Sequence, residues 1–192
     1  MQTTHDILER LKAGNARFVA DKLDGQLQDS SRRSSLTSKQ EPYAIILSCA
    51  DSRVVPELAF DTGLGELFVI RVAGNIANTS SVASIEYAVA ELGVAVIVVL
   101  GHESCGAVGA ALEGGDLGPN LNHLLAHIEP AKAAAGEGAE IAAVVKKNAE
   151  LSAKQLVDKS AIIRKAIAGD EAKLKIVPAY YELESGKVNF LS

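Results

Sequence analysis

Two short segments hold the residues best able to do chemistry. Ser48-Cys49-Ala50-Asp51-Ser52-Arg53 follows the apolar run Ala44 to Leu47, and Gly101-His102-Glu103-Ser104-Cys105-Gly106 follows Val94 to Leu100. Both cysteines of the chain lie in these segments. Zinc takes cysteine sulfur and histidine nitrogen in tetrahedral geometry, and three protein ligands with an open fourth position mark a site built for catalysis. His102 and Cys105 are close enough for one loop to hold one ion, and Cys49 brings a third ligand from the other segment. Cys105 also opens a predicted helix, whose dipole favours its thiolate. Asp51 is the candidate for the fourth position. Arg53, two residues on, falls on the same side of an extended segment. A bidentate pair between them would hold the carboxylate off the metal and leave room for a water that zinc acidifies to a pKa of about 7. Breaking the pair would let Asp51 close the site, a two-state switch that pH could throw. Spacing alone leaves other readings open: two buried apolar thiols, a disulfide, or an ordinary loop ion pair.

The elements around these segments say how they could meet. From Thr3 or Thr4 to about Asp21, apolar residues recur at helical spacing behind a capping hydroxyl. Leu23 to Glu41 is serine-rich and polar, and reads as a loop or extended arm. Tyr43 to Ser48, entered from Pro42, is a buried strand, and Leu67 to Val72 is another. Ser80 to Leu92 is an amphipathic helix stopped by Gly93. Val94 to Leu100 is the most β-branched stretch and a central strand. Cys105 to Leu112 reads as a helix, Asn120 to Ala168 as two or three more, and Leu174 to Leu183 with Lys187 to Leu191 as a terminal strand pair. The fold expected is α/β, with a mostly parallel central sheet flanked by helices, an N-terminal helical arm and C-terminal edge strands. One domain, 1–192, is expected, with 1–40 as helix and arm and 41–192 as the α/β core. In such sheets ligands sit beyond the carboxyl ends of strands where the strand order reverses, which is where Cys49 and His102 fall.

Composition narrows the partners. The chain has 192 residues, 48% hydrophobic and 22% charged, which excludes general disorder. A net charge of -5 weighs against nucleic acid, since phosphate binding needs a basic face and Arg32-Arg33 is the only compact basic cluster. The apolar run Val94 to Leu100 is far short of the roughly 20 residues a membrane span needs. Nothing at the N-terminus resembles a signal peptide, so a cytoplasmic protein with reduced thiols is expected. His123 and His127, four apart on a predicted helix, complete no known metal pattern, and His5 supports no role.

The two segments together resemble the paired signature of the β-class carbonic anhydrases, in their plant-like branch. Gly65 to Asn75, Ser84-Ile85-Glu86-Tyr87-Ala88, and Ala179 to Leu183 followed by Gly186-Lys187-Val188 are similar to that family as well, so the likeness runs through nearly the whole chain. It implies one Zn2+ per subunit on Cys49, His102 and Cys105, with Asp51 and Arg53 as the gating pair. The implied reaction is reversible hydration of carbon dioxide to bicarbonate and a proton by zinc-bound hydroxide. Gln40 matches a substrate hydrogen-bond donor, Phe68 and Tyr87 match aromatics lining the pocket in part from the neighbouring subunit, and Gly106 matches a glycine whose amide faces the site. A homodimer or homotetramer is implied. A regulatory bicarbonate pocket built on tryptophan, found in one branch, is not expected in a chain without that residue. Two rivals stand beside this reading: a carbon disulfide or carbonyl sulfide hydrolase on the same fold, and a non-catalytic zinc-binding protein.

Overall fold

Apolar runs without polar alternation require strands covered on both faces. In the computed structural model, which describes residues 2–168 and 174–191, β1 (Ala44–Ser48) and β3 (Val96–His102) are buried along their whole length. With β2 (Leu67–Arg71), β4 (Lys175–Tyr181) and β5 (Val188–Phe190) they form a five-stranded sheet ordered β2-β1-β3-β4-β5. The first four strands pair in parallel, and β5 runs antiparallel to β4 at the edge. The chain steps outward from β1 to β2, then crosses back to β3 on the other side. Strand order therefore reverses between β1 and β3, and a crevice beyond their carboxyl ends is the geometric result.

The helices are α1 (Thr4–Val19), α2 (Ser30–Ser35), α3 (Pro56–Ala59), α4 (Thr79–Ala90), α5 (Gly106–Glu113), α6 (Pro119–Ala126), α7 (Glu129–Ala135), α8 (Ile141–Lys159) and α9 (Ala161–Ile167). Alternate side chains of each strand point to opposite faces. Ala44 and Ile46 pack with Ile7, Leu8 and Leu11 of α1, whereas Ile45 and Leu47 pack with Val82 and Ile85 of α4, Leu156 of α8 and Ile163 of α9. A third apolar cluster, including Ile76, Val108, Ile128, Val145 and Tyr180, gathers around Cys49 and Cys105.

The N-terminal helix starts at a capping box in which Thr3 Oγ1 accepts from the Asp6 amide and Asp6 Oδ2 accepts from the Thr3 amide. It docks on its own sheet. A Cβ at Gly14 would lie 1.9 Å from the Phe60 carbonyl oxygen, so only glycine permits the approach. Buried Asn15 donates to the Ala59 and Gly186 carbonyls at 2.9 and 2.8 Å and accepts from the Val188 amide at 2.8 Å.

Three details depart from the sequence reading. The segment Leu23 to Glu41, expected without helix, contains α2, because Asp29 caps the Arg32 amide at 2.8 Å and Arg32 Nε donates to the Leu64 carbonyl at 2.9 Å. Asn120 to Ala168 holds four helices (α6 to α9) rather than two or three. Breaks fall before Pro130, near the start of α7, and at Ser160, whose Oγ caps α9 by accepting from Ile163 N at 3.1 Å. His102, expected just after the third strand, is its last residue and pairs with Tyr181.

Candidate metal centre

Each ligand candidate is placed by a different backbone device. Cys49 is the first residue past β1, His102 ends β3, and Cys105 is the N-cap of α5. Cys49 Sγ, Cys105 Sγ and a His102 ring nitrogen lie within 4.8 Å of one another, and all three residues are buried. His102 Nδ1 is 2.8 Å from the Glu103 carbonyl oxygen, which makes it the donor nitrogen and leaves the Nε2 lone pair free. Nε2 is buried with no hydrogen-bond partner. An orphaned imidazole nitrogen between two thiols is costly unless something electrophilic sits there, and the soft donor set suits zinc. The residues present fit the ion that the sequence implies.

The two thiols act on each other. A hydrogen bond from Cys105, the adjoining His102 ring and backbone amides including that of Gly74 draw the Cys49 thiol down well below its ordinary value, against the opposing effect of burial. Cys105 is pushed up, first because it donates to Cys49 and then because burial opposes its charge. The amides of Ala107 and Val108 act the other way, but the neighbouring sulfur outweighs them.

Asp51 sits beside the three ligands. Its Oδ2 is 3.8 Å from His102 Nε2. Arg53 holds it, with the backbone amide and Nε each donating to Oδ1 at 2.9 Å and Nη2 donating to Oδ2 at 2.7 Å. The Arg53 guanidinium, foremost among the causes, keeps this carboxyl well below the usual carboxylate range. Arg53 Nη2 also donates to the Ser104 carbonyl at 3.3 Å, across to the segment between the other two ligands. A Cβ at Gly106 would meet nothing within 4 Å, so the start of α5 faces open space.

Three residues at the site were not singled out by the sequence reading. Gly74, at φ +73°, turns its amide onto Cys49 Sγ at 3.3 Å, and Asn148 Nδ2 donates to its carbonyl at 2.7 Å. Glu103 fastens the His102 segment to the end of β4: its amide donates to Tyr181 O and its Oε2 accepts from Leu183 N, both at 2.8 Å. Arg71 Nε donates to Cys49 O at 3.0 Å and its Nη2 to Asp51 O at 2.6 Å. Their partners are set by strand register, which no local spacing encodes.

The remaining candidates lie elsewhere in the chain. Phe68 and Tyr87 contact each other, with ring centroids 6.3 Å apart, and Tyr87 is 48% exposed. Phe68 pairs with Ile45, four residues before Cys49, or about 13 Å along the strand. Gln40 is exposed just ahead of β1.

A profile of the carbonic anhydrase family matches residues 44–188, a span that holds all three ligand candidates and the Asp51–Arg53 pair. The chain belongs to the carbonic anhydrase family. Carbonic anhydrase 2 of Mycobacterium tuberculosis is 53% identical over 102 residues, covering 53% of this chain and 49% of that protein. The matched stretch thus spans about half the length of the mycobacterial relatives. The carbonic anhydrase of Pseudomonas aeruginosa PAO1 is 40% identical over 171 residues, with 82% of this chain and 76% of that protein covered. Among solved structures, a tetrameric β-carbonic anhydrase from the ascomycete Sordaria macrospora shares 26% identity at a TM-score of 0.74, with 97% of this chain and 98% of that one covered. The α/β carbonic anhydrase architecture of this chain is therefore that of the β class.

Proposed function

We propose that the protein catalyses the reversible hydration of carbon dioxide to bicarbonate and a proton, with one zinc ion per subunit on Cys49, His102 and Cys105. The observation that carries this reading is the state of Asp51. Both its oxygens are engaged by Arg53, yet it lies 3.8 Å from the orphaned His102 nitrogen, so the three-ligand set keeps an open side. When bound, zinc supplies Lewis acidity and brings the pKa of a water to about 7. The protein's part is positional. Asp51, fixed by Arg53, presents a carboxylate that accepts a hydrogen bond beside the metal, and in this reading the Gly106 amide serves the substrate. The apolar cluster around Cys49 and Cys105 limits water on the far side of the site.

Phe68, Tyr87 and Gln40 belong to substrate binding in this reading, with the two aromatics serving a neighbouring subunit's site. The distance of Phe68 along the strand from its own Cys49, its contact with Tyr87 and the exposure of Tyr87 support that assignment. The assembly is then a homodimer or homotetramer, as the tetrameric Sordaria relative supports. Cys49 and Cys105 are free thiols, which fits a reducing compartment such as the cytoplasm. No described helix is long and apolar enough to cross a membrane.

The deciding experiment is metal analysis joined to stopped-flow hydration of carbon dioxide from pH 6.5 to 9, roughly the range over which a zinc-activated water titrates. Carbon disulfide and carbonyl sulfide are assayed on the same preparation. Stoichiometric zinc with hydration activity rising over that range is the expected result. Zinc without hydration anywhere in the range, or turnover of the sulfur substrates alone, would overturn the proposal.

A further inference from the structure

β2 ends at Arg71, directly opposite Ser48, the last residue of β1. Beyond that pair the chain after β2 turns onto the chain after β1. Val72 N donates to Ser48 O at 3.0 Å, Arg71 Nε to Cys49 O at 3.0 Å, Gly74 N to Cys49 Sγ at 3.3 Å and Arg71 Nη2 to Asp51 O at 2.6 Å. Residues 71–74 thus bracket residues 48–51. Arg71 contributes the one side-chain donor in this bracket, and its fork reaches two carbonyls that lie two residues apart. Among the described residues it has no carboxylate at ion-pair distance. Its positive charge is engaged by two peptide dipoles.

We propose that Arg71 is a positioning residue for the metal centre, fixing the stretch of backbone that carries both the Cys49 thiol and the Asp51 carboxylate. The inference rests on the reading of Cys49, His102 and Cys105 as a metal site. Arg53 controls where the Asp51 carboxylate points. Arg71 controls where its backbone stands, and with it the distance from Cys49 Sγ to the His102 and Cys105 donors. Arg71 is exposed at the strand end, so removing it opens no cavity in the core. Lysine cannot replace it fully, because an ammonium is a point donor on a flexible stem and lacks the planar fork that spans two acceptors.

The test compares the full chain with Arg71→Ala and Arg71→Lys, each loaded with cobalt(II). It reads the cobalt dissociation constant by competition with a chromophoric chelator, the thiolate-to-cobalt absorption bands, kcat and KM for hydration, and the melting temperature of the metal-free protein. In Arg71→Ala, cobalt affinity or kcat/KM falls by roughly 10–100-fold, the usual cost of losing a group that orients a ligand. The absorption bands shift while the metal-free melting temperature stays with the parent, millimolar methylguanidine restores part of the loss, and Arg71→Lys recovers less than half of it. An alanine variant within about twofold of the parent in affinity and kcat/KM, with unchanged bands, overturns the proposal. So does full recovery in Arg71→Lys, which would make charge alone sufficient. A loss matched by an equal fall in metal-free stability and untouched by methylguanidine also overturns it, as a merely structural role. If the parent binds cobalt in an Arg71-dependent way but hydrates no carbon dioxide, the proposed function fails and the positioning role stands.

Discussion

Asp51 has two possible employers, Arg53 and a metal, and three hydrogen bonds from Arg53 decide between them. Hydrogen bonds to a charged group contribute about 1.5–3 kcal/mol, so Arg53→Ala is expected to lower kcat/KM by roughly 10–150-fold as Asp51 turns to the metal. Stopped-flow hydration at neutral pH measures it, and near-normal activity would refute the gate. Cys105→Ala leaves two protein ligands, and the purified variant is expected to carry far less than one zinc per chain by elemental analysis. Retained stoichiometric zinc would remove Cys105 from the ligand set. These residues were legible in the sequence because their chemistry travels with their identity: two thiols, an imidazole and a carboxylate–guanidinium pair at short spacings have few other uses. Arg71, Gly74 and Glu103 were not, because each acts through contacts with residues 20 to 80 positions away.

At the scale of elements, the sheet was readable where burial forces it. Ala44–Ser48 and Val96–Leu100 carry no polar alternation, and only a strand covered on both faces accommodates that. What escaped reading was held by capping and tertiary contact rather than by periodicity. The six residues of α2 include four serines and no buried side chain, so nothing in their pattern announces a helix. The stops between α6 and α7 and between α8 and α9 lie inside one alanine- and lysine-rich stretch, where composition favours helix throughout. The N-terminal helix offers a direct check on docking. Asn15→Ala strands two carbonyls and an amide, and is expected to cost roughly 2–4 kcal/mol by denaturant titration, since each buried unsatisfied group costs about 1–3 kcal/mol. A change near zero would show that α1 does not need its polar latch.

Over the whole molecule, one titration bears on alkaline stability. Tyr43 is pushed up from 10.0 to about 12, first by burial and then by the charge of Glu66, against the opposing pull of Arg10 and Arg17. Its folded pKa lies above its unfolded one, so its full contribution to stability holds below pH 10 and is lost as pH rises toward 12. Melting temperature measured across that window should fall in the parent and fall less in Tyr43→Phe; parallel curves would assign the alkaline loss to other groups. Assembly is tested in the same solution. Sedimentation is expected to report a dimer or tetramer, with hydration activity impaired in Tyr87→Ala though that residue is remote from its own Cys49. A fully active monomer would end the shared-site reading.

The tie between Glu103 and the end of β4 sets an order of events during synthesis. When a nascent chain has emerged as far as Glu113, it already contains Cys49, Asp51, Arg53, His102 and Cys105. It lacks Tyr181 and Leu183, the residues that fasten the His102 segment. The strand that supplies them is made some 70 residues later, and pairing across such a separation follows rather than precedes local collapse. If the proposed metal site is right, its full geometry exists only once β4 has been made and paired. On that reading, the zinc supply after β4 has paired, rather than before, sets how much of the protein is loaded.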